Sequence, residues 1–347
     1  MNLIRLSLVA IAVALSPQFV IAAGPKTAAA QTAAKLDDDF FLQGEYAGTI
    51  SAGAASPVWT GLQVIALGDG AFHAVAYTGG LPGNGWNQQT RQEYDGTRTA
   101  ADMAQLTGDS RRLTVRRGYV VVKDDAGKEL GRLPKVLRRS QTYGAAPPAG
   151  AQVLFYGRDA REFTGGVVTA DHLLVAGADT KEAFGDFSMH VEFRTPYMAQ
   201  VRGQARGNSG VYIQKRYEVQ ILDSFGLRGV DNECGGLYKQ RAPLLNMCFP
   251  PLTWQTYDID FTAAKFDSEG KKTASARITV RHNGVVIHDN VEITGKTGGG
   301  SAEGPDPAVI KLQDHGNLVH FRNIWIVRGR QPATSSPEAI CACQAVP

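Results

Sequence analysis

Beyond its first 22 residues the sequence lacks any apolar run near the roughly 18 residues that a membrane-spanning helix requires. It also lacks a strong charge of either sign, because 36 lysines and arginines stand against 33 aspartates and glutamates. No basic block interleaved with aromatic residues is present, which disfavours a nucleic-acid partner. A neutral partner fits this composition better.

The N-terminus has the layout of a secretory signal. Arg5 supplies a positive charge, residues 6–15 form a short apolar region, and residues 20–22 resemble a small-residue cleavage site. Residues 23–35 are too small and too repetitive to pack, which predicts a flexible spacer. We therefore expect residues 1–22 to be a signal peptide cleaved near Ala22, and the mature chain to be soluble and periplasmic or secreted.

Cysteine is scarce, with four residues in the whole chain. Cys234 and Cys248 flank a loop rich in glycine, proline and asparagine, and in an oxidising compartment this arrangement predicts a disulfide that closes the loop. Cys341 and Cys343 lie in a tail rich in proline, serine and alanine, residues 329–347, which we expect to be flexible. We assign these two cysteines no function.

Helical periodicity is almost absent, whereas short β-type runs separated by glycine recur along the chain. Asp69-Gly70 and Asn283-Gly284 are strong hairpin signals between such runs. The pattern predicts an all-β protein: a smaller β-rich domain of unknown role at residues 36–140, a linker at 141–150, and a two-sheet jelly-roll sandwich at 151–328.

Residues 207–226 carry polar side chains inside a segment that otherwise has the pattern of buried sheet. Glu218 and Gln220 alternate with apolar residues and project from one side of their strand. A two-residue connection to the preceding strand would place Ile213 opposite Glu218, and a three-residue connection would place Gln214 there. Lys215 and Arg216 suit a two-residue turn poorly, which favours the odd connection and one polar face that includes Tyr212 and Gln214.

This polar face has two interpretations. The solvent side of an antiparallel sheet is ordinarily polar, which would give these side chains no role. Planar amides, a carboxylate and an aromatic ring are, however, the groups that line sugar-binding grooves. Further candidates flank the region or follow it in a late strand: Asn208, Asp223, Tyr238, Lys239, Gln240, Trp254, Gln313, Asp314 and His315.

Several ordered segments together resemble a known family: NSGVY at 208–212, YEVQILDS at 217–224, APL at 242–244, WQTYDI at 254–259, NG at 283–284, LQDHG at 312–316 and FRNIW at 321–325. They are similar to the bacterial 3-keto-disaccharide hydrolase domains, also described as 3-keto-glucoside 1,2-lyase and 3-keto-2-hydroxy-glucal hydratase domains. The resemblance spans about residues 151–328. It implies a concanavalin-like jelly roll that acts on oxidised sugars outside the cytoplasm.

The arrangement of carboxylates bears on the chemistry. An ordinary glycosidase needs two carboxyl groups flanking the bond, but this strand has Glu218 with Gln220 and an out-of-phase Asp223. A 3-keto sugar acidifies the hydrogen at C2, so one base can start elimination at C1, and hydration completes a net hydrolysis. We assign Glu218 as the base and His315 as the acid, although His315 could instead be a loop histidine that fixes Asp314.

The remaining site residues are expected to bind the sugar. Gln220, Asn208 and Lys239 would donate hydrogen bonds to hydroxyls or to the enolate. The full set predicted to bind substrate is Asn208, Tyr212, Gln214, Gln220, Asp223, Tyr238, Lys239, Gln313 and Asp314.

The sequence leaves the metal, the source of the substrate and the catalytic role undecided. Glu218, Asp223, Asp314 and His315 could hold a divalent cation, but no established ligand spacing indicates one. A separate sugar 3-dehydrogenase would have to supply an oxidised substrate. The alternative function is a non-catalytic carbohydrate-binding module on the same sandwich.

Overall fold

The computed structural model of the protein describes residues 36–51, 56–108 and 110–329 and the backbone of 343–345. Within these residues the chain is almost entirely β-structure, as the sequence predicted. One short helix, α1 (Asp38–Leu42), has the Asp37 side chain as its N-cap, which accepts a hydrogen bond from the Phe40 amide at 3.0 Å. Among the helices so described, none has the length and apolar character needed to cross a bilayer.

The N-terminal half forms an antiparallel up-and-down barrel, in which each strand pairs with the next and the last pairs with the first. Its strands are β1 (Gly44–Ile50), β2 (Val58–Gly68), β3 (Ala71–Thr78), β4 (Arg91–Ala100), β5 (Met103–Gly108), β6 (Arg111–Arg116), β7 (Tyr119–Asp124) and β8 (Glu129–Arg138). Closure leaves few unpaired strand edges. Inward side chains such as Tyr46, Phe72 and Tyr94 fill the lumen.

The C-terminal half is a sandwich of two antiparallel sheets. Its strands are β9 (Gln152–Phe155), β10 (Phe163–Thr164), β11 (Leu174–Val175), β12 (Ala178–Phe184), β13 (Phe187–Arg194), β14 (Ser209–Ile213), β15 (Tyr217–Ile221), β16 (Gln255–Thr262), β17 (Lys265–Phe266), β18 (Lys272–Ala274), β19 (Ala276–His282), β20 (Val285–Ile293), β21 (Ala308–Leu312) and β22 (His320–Arg328). A final strand, β23 (Cys343–Ala345), adds to β8 within the tail that we expected to be flexible.

One sheet of the sandwich has the strand order β10-β12-β21-β14-β15. The other has the order β11-β22-β13-β16-β19-β20, with β9 paired to β22. Alternate residues of each strand meet in the shared core; on β15 these are Tyr217, Val219 and Ile221. The residues between them, Glu218 and Gln220, therefore face away from the core.

The barrel and the sandwich share a packed interface. Ile65, Val75 and Tyr77 project from the outer wall of the barrel into the core cluster of the sandwich. Arg138 forms a buried ion pair with Glu45, and its guanidinium lies 4.8 Å from the ring centroid of Phe249 in the sandwich. The two halves thus bury apolar and charged groups jointly.

Two hairpin predictions are confirmed. Asp69 and Gly70 join β2 to β3, and Asn283 and Gly284 join β19 to β20, with positive φ at all four residues. Two successive positive φ values are what a two-residue hairpin turn requires, and Asn-Gly and Asp-Gly adopt them readily. The predicted signal peptide and spacer, together with Cys341, lie outside the described residues.

Candidate functional site

The candidate site lies on the outer face of the five-stranded sheet, around the edge strand β15. Tyr212 of β14 pairs directly with Glu218, so the connection is the three residues 214–216. The predicted odd connection is confirmed, but the residue opposite Glu218 is Tyr212 and not Gln214. The edge of β15 is covered, because the Tyr238 amide donates to Glu218 O at 3.1 Å and the Gln220 amide donates to Gly236 O at 2.9 Å.

Glu218 is a buried carboxylate, with 2% of its surface exposed. The Tyr212 hydroxyl donates to Oε2 at 2.7 Å. Gly210 provides the space, because a Cβ there would lie 2.4 Å from Glu218 Oε1. Burial raises the pKa of Glu218 to about 7, against the opposing effects of the Tyr212 hydrogen bond and the Lys311 charge. A group that titrates near neutral pH suits proton transfer in both directions.

The Gln220 amide lies beside this carboxylate and can serve both of its protonation states. With its nitrogen towards Glu218, it donates to Oε1 at 2.9 Å and to Ser209 O at 3.0 Å. With its nitrogen turned the other way, it donates to Gln204 Oε1 at 3.0 Å. Its oxygen then faces Glu218 and accepts a hydrogen bond from the protonated acid. A half-rotation of one amide can therefore follow the proton.

A second row of amides supports Gln220. The Asn208 side chain donates to Gln204 O at 2.7 Å and to Gln204 Oε1 at 3.1 Å, while its own backbone amide donates to Asn317 Oδ1 at 2.7 Å. Gln204 in turn donates to Asn232 O at 2.8 Å. The sequence pattern predicted Asn208 as a site residue but not Gln204, which lies in the segment between β13 and β14.

Lys311 is a second site residue that the sequence pattern did not predict. It lies on β21 opposite Tyr212, and its Nζ is 6.0 Å from the centroid of the Tyr212 ring. Its positive charge lowers the pKa of Glu218, although burial prevails. Gln313 follows it at the end of β21, and its Oε1 is buried without a hydrogen-bond partner in the described structure. The alternation of apolar Ile310 and Leu312 with Lys311 could have indicated that Lys311 faces away from the core.

Three of the predicted ligands are engaged elsewhere. Gln214 lies in the turn after β14, where its amide donates to Phe184 O at 2.8 Å and accepts from Arg216 at 2.9 Å. Asp223 is buried in an ion pair with Arg206 at 2.7 Å. Asp314 accepts from the Gly316 amide at 2.9 Å within an exposed turn. Local turns and ion pairs use these polar groups, which a period-two pattern cannot detect.

Four of the remaining candidates, Tyr238, Lys239, Gln240 and His315, lie in turns or bends outside the strands. His315 is exposed in the turn after β21, Tyr238 is half-buried, and Lys239 is exposed with its Nζ 5.5 Å from the Tyr238 ring centroid. Gln240 donates to Gly295 O at 2.8 Å and to Lys296 O.

Trp254 packs against Arg322 and Arg194, whose guanidinium carbons lie 4.1 and 4.9 Å from its ring centroid. Both arginines belong to the seven-stranded sheet. Trp254 is therefore remote from the face that carries Glu218.

The predicted disulfide is wrong for this structure, in which Cys234 and Cys248 are free, buried thiols. The Cys234 sulfur contacts the Tyr257 hydroxyl at 3.2 Å, and burial raises the pKa of Cys248. The loop between them is closed without a covalent bond, because Asn246 donates to Ser224 O at 2.8 Å and Ser224 Oγ accepts from the Cys234 amide at 2.9 Å. The composition of the loop indicated that its ends must be held together, but it did not indicate that hydrogen bonds hold them.

The cation suggested by the sequence finds no ligand set here. Across the described ranges, no group of three or more histidine, cysteine, aspartate or glutamate side chains is placed to hold a metal ion. Asp223, one of the four candidate ligands, is neutralised by Arg206.

Residues 150–327 match the protein family described as the 3-keto-alpha-glucoside-1,2-lyase-like domain. The chain belongs to this family. The domain so defined contains the whole sandwich and the Glu218 face. Membership in the 3-keto-alpha-glucoside-1,2-lyase-like family makes the chain an enzyme that acts on carbohydrate.

Two solved structures, each described as a glycosyl hydrolase candidate from Parabacteroides distasonis ATCC 8503, are similar to the chain. The first is 33% identical, covers 56% of this chain and 91% of its own, and has a TM-score of 0.49. The second is 19% identical, covers 51% of this chain and 93% of its own, and has a TM-score of 0.38. No curated protein matches the chain.

Proposed function

We propose that the protein cleaves 3-keto-glycosides by elimination followed by hydration, with Glu218 as the base. The observation that carries this proposal is one buried carboxylate with a pKa near 7, flanked by the donors Tyr212 and Gln220 and by the cation Lys311. A base of this kind can remove the C2 hydrogen that a neighbouring C3 ketone has acidified.

The carboxylate in the same row of paired residues as Glu218 lies too far away for ordinary glycosidase chemistry. The row of paired residues that contains Glu218 continues through Tyr212 and Lys311 to Asp179 on β12. Three strand spacings separate Asp179 from Glu218, roughly 14 Å. Retaining and inverting glycosidases place their carboxyl groups at about 5 to 9.5 Å. Asp179 is also paired with Lys215 at 2.6 Å.

The proposed reaction begins with the removal of a proton from C2. Glu218 takes the proton from C2, and the C2–H electrons form an enolate that the positive charge of Lys311 stabilises. The enolate collapses to a C1–C2 double bond as the C1–O bond breaks, and the leaving oxygen takes a proton from His315. Water then adds to C1 and gives its proton back to His315, and protonated Glu218 returns a proton to C2. The net products are the free 3-keto sugar and the released alcohol.

A reaction in D₂O tests this sequence. Protonated Glu218 exchanges its proton with D₂O before hydration, so the product should carry deuterium at C2, whereas direct displacement at C1 would leave C2 unlabelled. The substrate incubated with the Glu218→Gln variant measures non-enzymatic exchange at C2. Release of alcohol without enzyme-dependent label at C2 would overturn the elimination, and cleavage of the matching unoxidised glycoside at a comparable rate would support an ordinary glycosidase.

The same proteins and the same 3-keto-glucoside distinguish an enzyme from a carbohydrate-binding module. A binding module would hold the 3-keto-glucoside without releasing the alcohol, in the wild-type protein and in Glu218→Gln alike. We further propose that the chain is exported after cleavage near Ala22 and that a separate sugar 3-dehydrogenase provides its substrate, because the C3 ketone must be made by oxidation. Detection of the mature N-terminus in the periplasm or medium tests the export.

A further inference from the structure

Residues 195–208, which we term the crossing segment, connect β13 to β14 by way of the barrel. The segment leaves the seven-stranded sheet, contacts the open end and one strand of the barrel, and returns to the five-stranded sheet beside Glu218. It is one path by which the N-terminal half of the chain reaches the candidate site, beside direct contacts such as the Arg91 hydrogen bond to Gly226 O.

The first part of the crossing segment completes the barrel core. Tyr197 is 8% exposed and packs with the residues that fill the barrel, together with the fully buried Ala199. The Tyr197 hydroxyl donates to Asp37 Oδ1 at 2.8 Å, and its ring meets Phe40 edge-to-face at 5.1 Å. These contacts anchor the segment at the barrel end.

The second part is attached to the end of β2 by two arginines. Arg202 donates to Leu67 O at 2.5 Å, and Arg206 donates to Ala66 O at 3.2 Å. Arg206 also donates to Asp223 Oδ2 at 2.7 Å, just after β15. The same guanidinium therefore joins the barrel to the strand that carries Glu218.

Between these two arginines lies Gln204, whose oxygen is within hydrogen-bond distance of both Asn208 and Gln220. Gln220 in turn lies 2.9 Å from the Glu218 carboxylate. An unbroken series of contacts thus runs from the barrel strand β2 through the crossing segment to the proposed base.

We propose that the barrel is a positioning element of the catalytic site, and that Arg202 and Arg206 are positioning residues that fix Gln204 against Gln220. The proposal rests on the proposed function for its kinetic test. Neither arginine is required to touch the sugar. Their effect is to hold the Gln220 amide where it can serve Glu218, since sub-ångström placement of supporting groups governs rate.

The test uses the full chain in four variants. Arg202→Ala removes an exposed guanidinium and leaves no buried charge, so it should fold. Arg206→Ala leaves Asp223 buried without its partner and is paired with Arg206→Lys, which keeps the charge. Arg116→Ala, at an exposed ion pair with Asp102 on the far side of the barrel, is the matched control. Hydrogen exchange is measured at residues 197–208 and 218–220, and turnover of a 3-keto-glucoside is measured across pH.

We expect Arg202→Ala to speed exchange at residues 203–208 and at Gln220 and to lower kcat roughly 3- to 10-fold, with a smaller change in KM. The acid limb of the kcat profile should move to lower pH, because Gln204 holds the Gln220 nitrogen away from Glu218 and a loosened Gln220 can turn that nitrogen towards the carboxylate. Arg206→Lys should recover part of any loss in Arg206→Ala. Arg116→Ala should change none of these quantities.

Two results would overturn the positioning role. One is wild-type exchange at residues 203–208 and Gln220 in Arg202→Ala; the other is faster exchange there with an unchanged pH profile and kcat. If the wild-type protein releases no alcohol from the 3-keto-glucoside, the proposed function fails, and the exchange measurements alone decide whether the barrel orders the segment.

Discussion

At the scale of single residues, the site depends on a glycine and a carboxylate that share one volume. Gly210 pairs with Gln220 across the two strands, while the Glu218 side chain occupies the space where a side chain at position 210 would be. Burial keeps the Glu218 carboxyl near its protonation midpoint at neutral pH. The chemistry proposed for this enzyme thus follows from what surrounds Glu218 as much as from the residue itself.

The first prediction concerns the pH dependence of activity. Glu218 is an acid with a pKa of about 7 and must be ionised to act as a base, so kcat/KM should fall tenfold per pH unit below about 7. Glu218→Gln should lose about 100- to 10,000-fold in kcat while still binding substrate. Tyr212→Phe removes a donor to the carboxylate and should move the midpoint to higher pH. A flat profile between pH 5 and 7 would exclude Glu218 as the base.

The second prediction concerns Gly210→Ala. The new methyl group would meet Glu218 Oε1 at 2.4 Å and force the carboxylate to move, so kcat should fall at least tenfold while the fold persists. Gly295→Ala is the control, because a Cβ there meets nothing within 4 Å. Steady-state kinetics and circular dichroism check the pair. Full activity in Gly210→Ala would show that the carboxylate position is not critical.

At the scale of elements, the outer face of the seven-stranded sheet carries a buried charge network rather than a site for the proposed reaction. His190 on β13 contacts Asp258 of β16 at 2.6 Å and Glu192 at 3.6 Å, and it stacks on Trp325 of β22. Burial opposes the charged histidine, but the hydrogen bond to Asp258 and the ion pair with Glu192 raise the pKa of His190 to about 9. The network therefore ties the central strands β13, β16 and β22 together.

The third prediction is the resulting pH dependence of stability. Because the folded-state pKa of His190 is raised above 6.5, its contribution is complete below about pH 6.5 and is lost as the pH rises through 9, by about 3 kcal/mol in all. Burial raises the pKa of Glu192, but its ion pair with His190 and its hydrogen bond to Asn323 prevail and hold it at about 2. The Glu192 contribution is thus complete above about pH 4.5 and is lost as the pH falls through 2.

Denaturant unfolding of the wild-type protein and His190→Asn between pH 6 and 9.5 measures this effect. The difference between the two free energies of unfolding should shrink as the pH rises. Taking the difference cancels other groups, such as Lys135, whose pKa burial lowers to about 8. A pH-independent difference would contradict a charged His190.

Strands whose two faces differ were predictable from the sequence. The alternation of apolar and more polar residues in the sequence predicts strands at residues 187–194 and 276–282, and these bounds match β13 and β19. The sequence pattern did not indicate strand β4, because Tyr94 is the one buried residue among the ten that form this strand. The sequence pattern also did not indicate strand β12, because three consecutive residues of it, 181–183, are exposed.

The site was predictable only in part for a similar reason. Alternation along β15 placed Glu218 and Gln220 on one face, and the polar character of Tyr212 added a partner. Lys311 joins them because β21 lies between β12 and β14, an order that no local pattern specifies. Gln204 joins them through the barrel, so its place depends on the packing of distant parts of the chain.

At the scale of the whole molecule, a buried ion pair of the barrel lies against the sandwich. Glu45 of β1 and Arg138 of β8 are both buried; Glu45 also accepts from Gln63 at 2.9 Å, and Arg138 donates to Pro82 O. Burying two charges is costly, so such a pair stabilises only while both partners are present. Its position beside Phe249 links barrel closure to the interface with the sandwich.

The fourth prediction follows from this arrangement. Arg138→Ala should lower the free energy of unfolding by about 3 to 5 kcal/mol because it leaves the Glu45 carboxylate buried and unpaired. The double variant Glu45→Gln with Arg138→Met should recover most of the loss, because no unpaired charge remains. Urea unfolding followed by tryptophan fluorescence measures both, with Arg116→Ala as an exposed ion-pair control expected to change stability by less than about 1 kcal/mol. Equal losses in the single and double variants would refute the explanation.

The insertion of Tyr197 into the barrel end has a consequence for the order in which the chain folds. The barrel strands end at Arg138, but Tyr197 and Ala199, which complete their core, come later in the chain, after β13. As synthesis proceeds from the N-terminus, the barrel strands emerge well before the side chains that close them. Until then the barrel presents apolar surface, which is the kind of species that aggregates or binds chaperones. The N-terminal half therefore finishes folding only once the start of the enzyme domain has been made.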